Sequence, residues 1–162
     1  MARVRLDNAQ WDFGTNCFVC EPQNEHGLGI PFFVDAEAGI VVADFTPQEY
    51  QSGAPSLAHG GLLMALADEA MSWAVIALAH RFGTSRKMEF SFRRPVRVGV
   101  EHSITARILS RIGRDLIAVA EITDAQGGIC TTAKGTFTVL TPAEAQAAIG
   151  QASEKTSEYT EA

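Results

Sequence analysis

His59, Gly60 and Gly61 are followed, nine residues after the histidine, by Asp68, with Glu69 beside it. A helix that begins at His59-Gly60-Gly61 would expose backbone N–H groups that have no intrahelical acceptor, an end that favours negative charge. Such donors stabilise the oxyanion that develops on an attacked carbonyl in acyl transfer, and glycine lets a ligand come close to the backbone. A carboxylate such as Asp68 supplies the complementary chemistry, as general base on a water or as nucleophile. The spacing keeps the two apart within one chain: nine residues at 1.5 Å and 100° each put Asp68 roughly 13 Å along the axis from His59 and about half a turn round. Joint action therefore requires a second subunit. An antiparallel pair of such helices about a two-fold axis gives two equivalent composite sites.

These residues belong to the run AHGGLLMALADEAMSWAVIALA, Ala58 to Ala79, in which only Asp68, Glu69 and Ser72 are polar from Gly60 onward. A helix hydrophobic all round is buried somewhere. About twenty apolar residues would also span a bilayer, but the central acid pair costs roughly 2.5 to 3.5 kcal/mol per charge at mid-membrane. The expected home is a soluble core, with a sheet wrapped round the helix and no membrane partner.

The flanking sequence supplies the strands. Leu28 to Ala36 and Ile40 to Thr46 are β-rich and separated by a short acidic turn, which predicts a hairpin. A loop, Gln51 to Ser56, leads into the helix. After His80 the period changes to two: Met88, Phe90 and Phe92 alternate with Lys87, Glu89, Ser91 and Arg93 until Pro95. Val100 to Ile112, Leu116 to Thr123 and Ile129 to Leu140 follow as three further strands, broken by turn sequences at Gly113–Asp115 and Asp124–Gly128. No second helix of comparable length is available for a parallel α/β fold. The expected class is α+β, an antiparallel sheet of five or six strands around one long central helix. Residues 1–27 are expected as a covering arm, 28–140 as the single domain, and 141–162 as a tail, Ala-rich and then polar, disordered toward its end.

Length and composition agree: 162 residues, 46 % hydrophobic and 20 % charged, make one ordinary domain with a sizeable core. A net charge of −6 argues against nucleic acid as a partner. The opening residues lack the apolar stretch of a secretory leader, and three cysteines fit a reducing compartment, so a cytoplasmic location is expected.

HGGLLMALADEAMSWA, NCFVCEPQNEHGLGIPFF (Asn16 to Phe33) and SRKMEFSFRRPV (Ser85 to Val96) together resemble the hotdog-fold acyl-CoA thioesterases of the phenylacetate-pathway (PaaI-like) type, over roughly residues 16 to 140. The resemblance implies a hotdog fold, a homodimer or dimer of dimers, and hydrolysis of an acyl-CoA to free acid and CoA. It implies no metal or redox cofactor, coenzyme A entering as part of the substrate. Residue by residue, Asp68 matches the catalytic carboxylate, Gly60 the N–H donor to the thioester carbonyl from the partner chain, and Gly61 the adjacent substrate-binding glycine. His59 would orient that turn or hydrogen-bond substrate, and Ser85 matches a hydroxyl near the carboxylate and water. A polar position before HGG falls on Gly53 or Gln51; Gly53 has no side chain, so that role passes to Gln51. Glu21 departs from the pattern, standing where the opening motif has Gly. Two other activities fit the same fold, non-hydrolytic binding of acyl-CoA and hydration or dehydration of the acyl chain. The HGG-to-Asp spacing favours hydrolysis over the latter.

Each assignment has a plainer counterpart. Asp68 could serve a buried hydrogen-bond network, His59 could cap the helix, and Ser85 could be an ordinary strand hydroxyl. Glu69, about 100° round from Asp68, is read as a structural or interface residue. Arg86, Lys87, Arg93, Arg94 and Arg97 place five cations within twelve residues, either a landing patch for the phosphates of coenzyme A or a solvated edge. Trp73, Met64 and Met71 fill core or acyl pocket. Cys17, Cys20 and His26 form C-x2-C-x5-H, but structural zinc takes four ligands at recognised spacings and no fourth is evident. Packed, redox-silent thiols are the expectation there.

Overall fold

The computed structural model describes residues 3–11, 15–150 and 158–160. The element order is β1 (Val4–Arg5), a 3-10 turn (Asn8–Trp11), β2 (Phe33–Asp35), β3 (Ile40–Phe45), a second 3-10 turn (Glu49–Gln51), β4 (Ser52–Ala54), β5 (Leu57–Ala58), α1 (Gly60–Ala79), β6 (Gly83–Phe92), β7 (His102–Ile112), β8 (Asp115–Thr123), β9 (Ile129–Val139) and α2 (Pro142–Ile149). One antiparallel sheet runs β1-β2-β3-β7-β8-β9-β6, and β4-β5 form a separate small pair. The central helix and the wrapped sheet are as expected. The sheet has seven strands rather than five or six because the arm contributes two residues, Val4 and Arg5, paired with Val34 and Phe33.

Ala, Leu and Met make α1 a strong helix former. Leu66, Ala70, Met71 and Ala74 are fully enclosed where the helix lies against β3, β7, β8, β9 and β6. Burying one such leucine contributes about 1.5 to 3 kcal/mol, and Leu66→Ala would leave a cavity costing about 2 to 5 kcal/mol. The sheet covers one side of α1. Gly61, Met64, Ala65, Asp68 and Ser72, spaced as one helical stripe, remain exposed or half-exposed, Met64 at 41 %.

Two segments differ from expectation. Leu28 to Phe32 are not strand, because Gly29 has φ 61° and Pro31 cannot donate to a ladder. They pair with the arm instead, Leu28 N–H to Phe18 O at 2.7 Å and Ile30 N–H to Val19 O at 2.9 Å. The tail begins as a helix. Thr141 caps α2 through the Glu144 N–H, Glu144 reaches back in a capping box, Pro142 stands in the first turn and Gly150 closes the helix in the left-handed region. The expected disorder of the tail's end falls mainly on residues outside those described.

Candidate active site

At the start of α1, the His59 imidazole turns back and its Nδ1 accepts the Gly61 N–H at 2.9 Å. The ring is held between two glycines: a Cβ on Gly61 would lie 3.0 Å from Nδ1, and one on Gly53 3.0 Å from Cδ2. The absent side chain at Gly53, which the sequence leaves unexplained, makes room for this cap. Gly60 is different. A Cβ there would meet the Phe92 ring at 3.6 Å, an ordinary contact, so its own chain does not demand a glycine. Its N–H occupies the first helical position, where no intrahelical acceptor exists, and has no other partner among the described residues. It adjoins a cavity of about 300 Å³ formed with Leu63, Phe92, Arg93, Arg94 and Val96. The backbone bonds Ala58 N–H to Val96 O and Val98 N–H to Ser56 O, both 2.9 to 3.0 Å, bring the segment after β6 to this helix end. On the other side of the same end, Phe18, His26, Tyr50, Gln51, His59 and Gly61 border a cavity of about 550 Å³.

Asp68 lies two turns further along α1, on the stripe the sheet leaves open. Its Oδ1 is buried with no hydrogen-bond partner among the described residues. Burial raises its pKa and the Ser85 hydroxyl opposes the rise. Ser85 reaches it through a bulge. In the β6–β9 ladder Ser85 pairs with Phe137 and Lys87 with Thr136, leaving Arg86 as the extra residue. Cross-strand partners share a face, so Ser85 joins Met88 and Phe90, opposite Gly135 and Ala133, on the side facing the helix. Unbroken alternation would have turned it outward.

The structure therefore divides the sequence-named residues into two groups. Asp68 and Ser85 form one; His59, Gly60, Gly61 and Gln51 form the other. Gln51 serves His59 through its backbone, accepting the His59 N–H at 2.9 Å, while its Oε1 accepts from Gln48 N–H at 2.7 Å. The five cations divide likewise, since Arg86 and Arg93 are seven residues apart on a strand, roughly 23 Å. Arg86 contacts Asp115 at 3.6 Å and Lys87 contacts Glu89 at 3.0 Å; Arg93 and Arg94 border the Gly60 cavity, with Arg94 3.7 Å from Asp124. Arg97 is bridged through its backbone to Leu57.

A third group was not legible in the sequence. Cys17 Sγ donates to Glu69 Oε1 at 3.4 Å, and Cys20 stands with them. The Cys20 thiol's hydrogen bond, helped by the Cys20 and Val19 amides against burial, holds the Cys17 thiol down at about 5. The same thiol–thiol contact, with burial, pushes Cys20 far above its usual range. Burial, then the charge of Cys17, pushes Glu69 up to about 7. His26, third in the C-x2-C-x5-H pattern, borders the larger cavity instead.

Residues 56–131 match the family model of the thioesterase superfamily. A solved thioesterase superfamily protein superposes with a TM-score of 0.68 at 23 % identity, over 72 % of this chain and 57 % of its own length. The matched segment, just under half of the chain, is similar to that superfamily. A phenylacetic acid degradation-related thioesterase from Ralstonia eutropha is similar at 26 % identity and a TM-score of 0.61, covering 69 % of this chain and 86 % of that one. A hypothetical thioesterase protein from Streptococcus pneumoniae, solved with coenzyme A, is similar at 21 % identity and a TM-score of 0.59, over 62 % and 78 %. No curated protein shows significant sequence similarity. What the chain shares with these structures is the fold, one long helix against an antiparallel sheet.

Proposed function

We propose that the protein hydrolyses acyl-CoA thioesters at sites shared between two copies of the chain. The observation that carries this reading is the division of the site: an acid with one oxygen unpartnered and an N–H donor without an acceptor, both among the described residues, lie on one helix, eight residues or about 12 Å apart, on surfaces their own sheet leaves open. The edge strand β6 supports a way to join them. Antiparallel pairing of two β6 edges centred on Glu89 opposes Ser85 of one copy to Phe92 of the other, because with Arg86 bulged out the two stand three pairing positions to either side of that centre and share a face. Phe92 packs beside Gly60 and Ser85 beside Asp68, so this pairing brings the acid of one copy to the helix end of the next. It also covers the open stripe of α1 and removes a ten-residue sheet edge.

In that arrangement Asp68 takes a proton from water, the water oxygen bonds to the thioester carbon, and the carbonyl oxygen becomes an anion facing the Gly60 N–H. Collapse breaks the C–S bond, and the CoA thiolate recovers the proton from Asp68. Alternatively Asp68 attacks the carbonyl itself and water cleaves the resulting anhydride. The ester's phosphates meet Arg93 and Arg94 on one side, with Arg86 and Lys87 arriving from the second copy. The similarity to a thioesterase solved with coenzyme A supports this substrate class. The hydrolytic step calls on no redox cofactor.

A thiol-release assay across aryl-acetyl, benzoyl and medium-chain CoA esters, with identification of the acid produced, tests the activity. Mixing Asp68→Asn chains with Gly60→Val chains tests the shared site: heterodimers regain one intact site and partial turnover. Absence of thiol release from every ester sinks hydrolysis, and failure of every mixture to recover sinks the two-chain site.

A further inference from the structure

Hydrolysis leaves the arm's two thiols without a task, although the fold brings them to a specific place. The Cys17–Cys20 turn docks on α1 at Glu69, and one donor atom from each of Cys17, Cys20 and Glu69 lies within 4.8 Å of the other two. The turn is wound around a sulfur: the Cys20 N–H donates to Cys17 Sγ at 3.2 Å, and the Asn8 side-chain amide donates to Cys20 Sγ at 3.4 Å. Donors of this kind favour a thiolate over a thiol and orient it as an outer shell orients metal ligands. All three side chains are half-buried, shielded from bulk water yet reachable.

We propose that Cys17, Cys20 and Glu69 form a zinc site that fastens the N-terminal arm to the central helix. Zn–S near 2.3 Å and Zn–O near 2.0 Å at tetrahedral angles separate a ligand sulfur from a ligand oxygen by about 3.5 Å; Cys17 Sγ and Glu69 Oε1 stand at 3.4 Å. Three protein ligands leave the fourth position to a water, the pattern of zinc sites that keep an open position rather than of closed four-ligand ones. Two thiolates select zinc over the hard cations magnesium and calcium. On binding, each cysteine gives its proton to solvent, and the dication offsets most of the negative charge gathered by the three ligands. The third ligand comes from a helix 49 residues beyond Cys20, so the spacing of the motif cannot reveal it. Because Glu69 adjoins Asp68, the metal fixes that turn of α1 while touching no reacting atom.

The full chain, purified under reducing conditions and supplied with zinc, is expected to retain roughly one zinc per chain against a competing chromophoric chelator. Cobalt in its place is expected to give intense thiolate-to-cobalt charge-transfer absorption and the visible bands of a tetrahedral ion. Glu69→Gln keeps the side-chain volume and is expected to weaken zinc binding at least about tenfold; Cys17→Ser abolishes the charge-transfer band or halves it. Zinc retention below about a tenth of an equivalent by reduced wild-type chain, a cobalt spectrum without thiolate absorption, or unchanged affinity in folded Glu69→Gln overturns the proposal. So does a Cys17–Cys20 disulfide whose reduction fails to restore metal uptake.

Discussion

The Ser85 hydroxyl reaches the Asp68 carboxylate because Arg86 is an extra residue in β6. The bulge turns Ser85 to the helix side, opposite Phe137, where it offsets part of the pKa rise that burial imposes on Asp68. The acid proposed to act in its ionised form thus sits in a partly buried setting with one hydroxyl favouring its charge.

That balance sets a pH signature. Both hydrolytic routes need Asp68 deprotonated, and its pKa lies above the ordinary 3.8, so kcat/KM is expected to fall on the acid side at a pH above that value. Ser85→Ala removes the one pKa-lowering contact and moves the acid limb further up. A pH-rate profile with an unmoved limb, or one moved down, removes Ser85 from this role.

Asp68→Asn keeps the shape of the side chain and deletes the proton acceptor. Turnover is expected to drop at least about a hundredfold with the elution volume and circular dichroism of the wild type. Single turnover in ¹⁸O-water tests for the anhydride: label entering the Asp68 carboxylate marks it, because general-base attack puts label in the product acid alone.

Gly60→Ala uncouples stability from activity. The new Cβ meets only the Phe92 ring at 3.6 Å, and alanine is up to about 1 kcal/mol better than glycine in a helix, so the midpoint of unfolding holds or rises. Turnover is expected to fall roughly tenfold, about 1.4 kcal/mol of transition-state binding, because the methyl crowds the approach to the Gly60 N–H. Equal loss of stability and activity would mean that the glycine serves packing alone.

His59→Ala deletes the bond to the Gly61 N–H and should cost about 1 kcal/mol of stability, a fall of about 2 to 4 °C in Tm for a chain of this size. His59→Asn can restore a cap and is expected to recover most of that loss. Recovery of Tm without recovery of kcat would give His59 a contact with substrate beyond capping.

Arg93→Ala is expected to raise KM for the CoA ester roughly three- to tenfold at low ionic strength, with the difference shrinking in salt as screening removes the attraction. Comparison with the same acyl group on a short thiol, which lacks the phosphates, isolates the effect. Equal KM changes on both substrates would assign Arg93 to structure.

The central helix, its burial, the hairpin and the meander were readable from the chain, because hydrophobic periodicity is local: a run without a polar face has to be wrapped, and strict alternation has to lie on a sheet. The nine-residue step from His59 to Asp68 fixed their separation along one axis, since helix geometry leaves it no freedom. Helix α2 was also written locally, in Thr141, Pro142 and Glu144, but its Ala-rich composition reads equally as tail. Other features depended on contacts between distant segments. The bulge at Arg86 reverses the face of Ser85, and alternation cannot foresee it because an inserted residue shifts register without changing composition. The room beside Gly53 has meaning only once the His59 ring is folded into it, and Glu69 meets Cys17 and Cys20 only after the arm has crossed the helix.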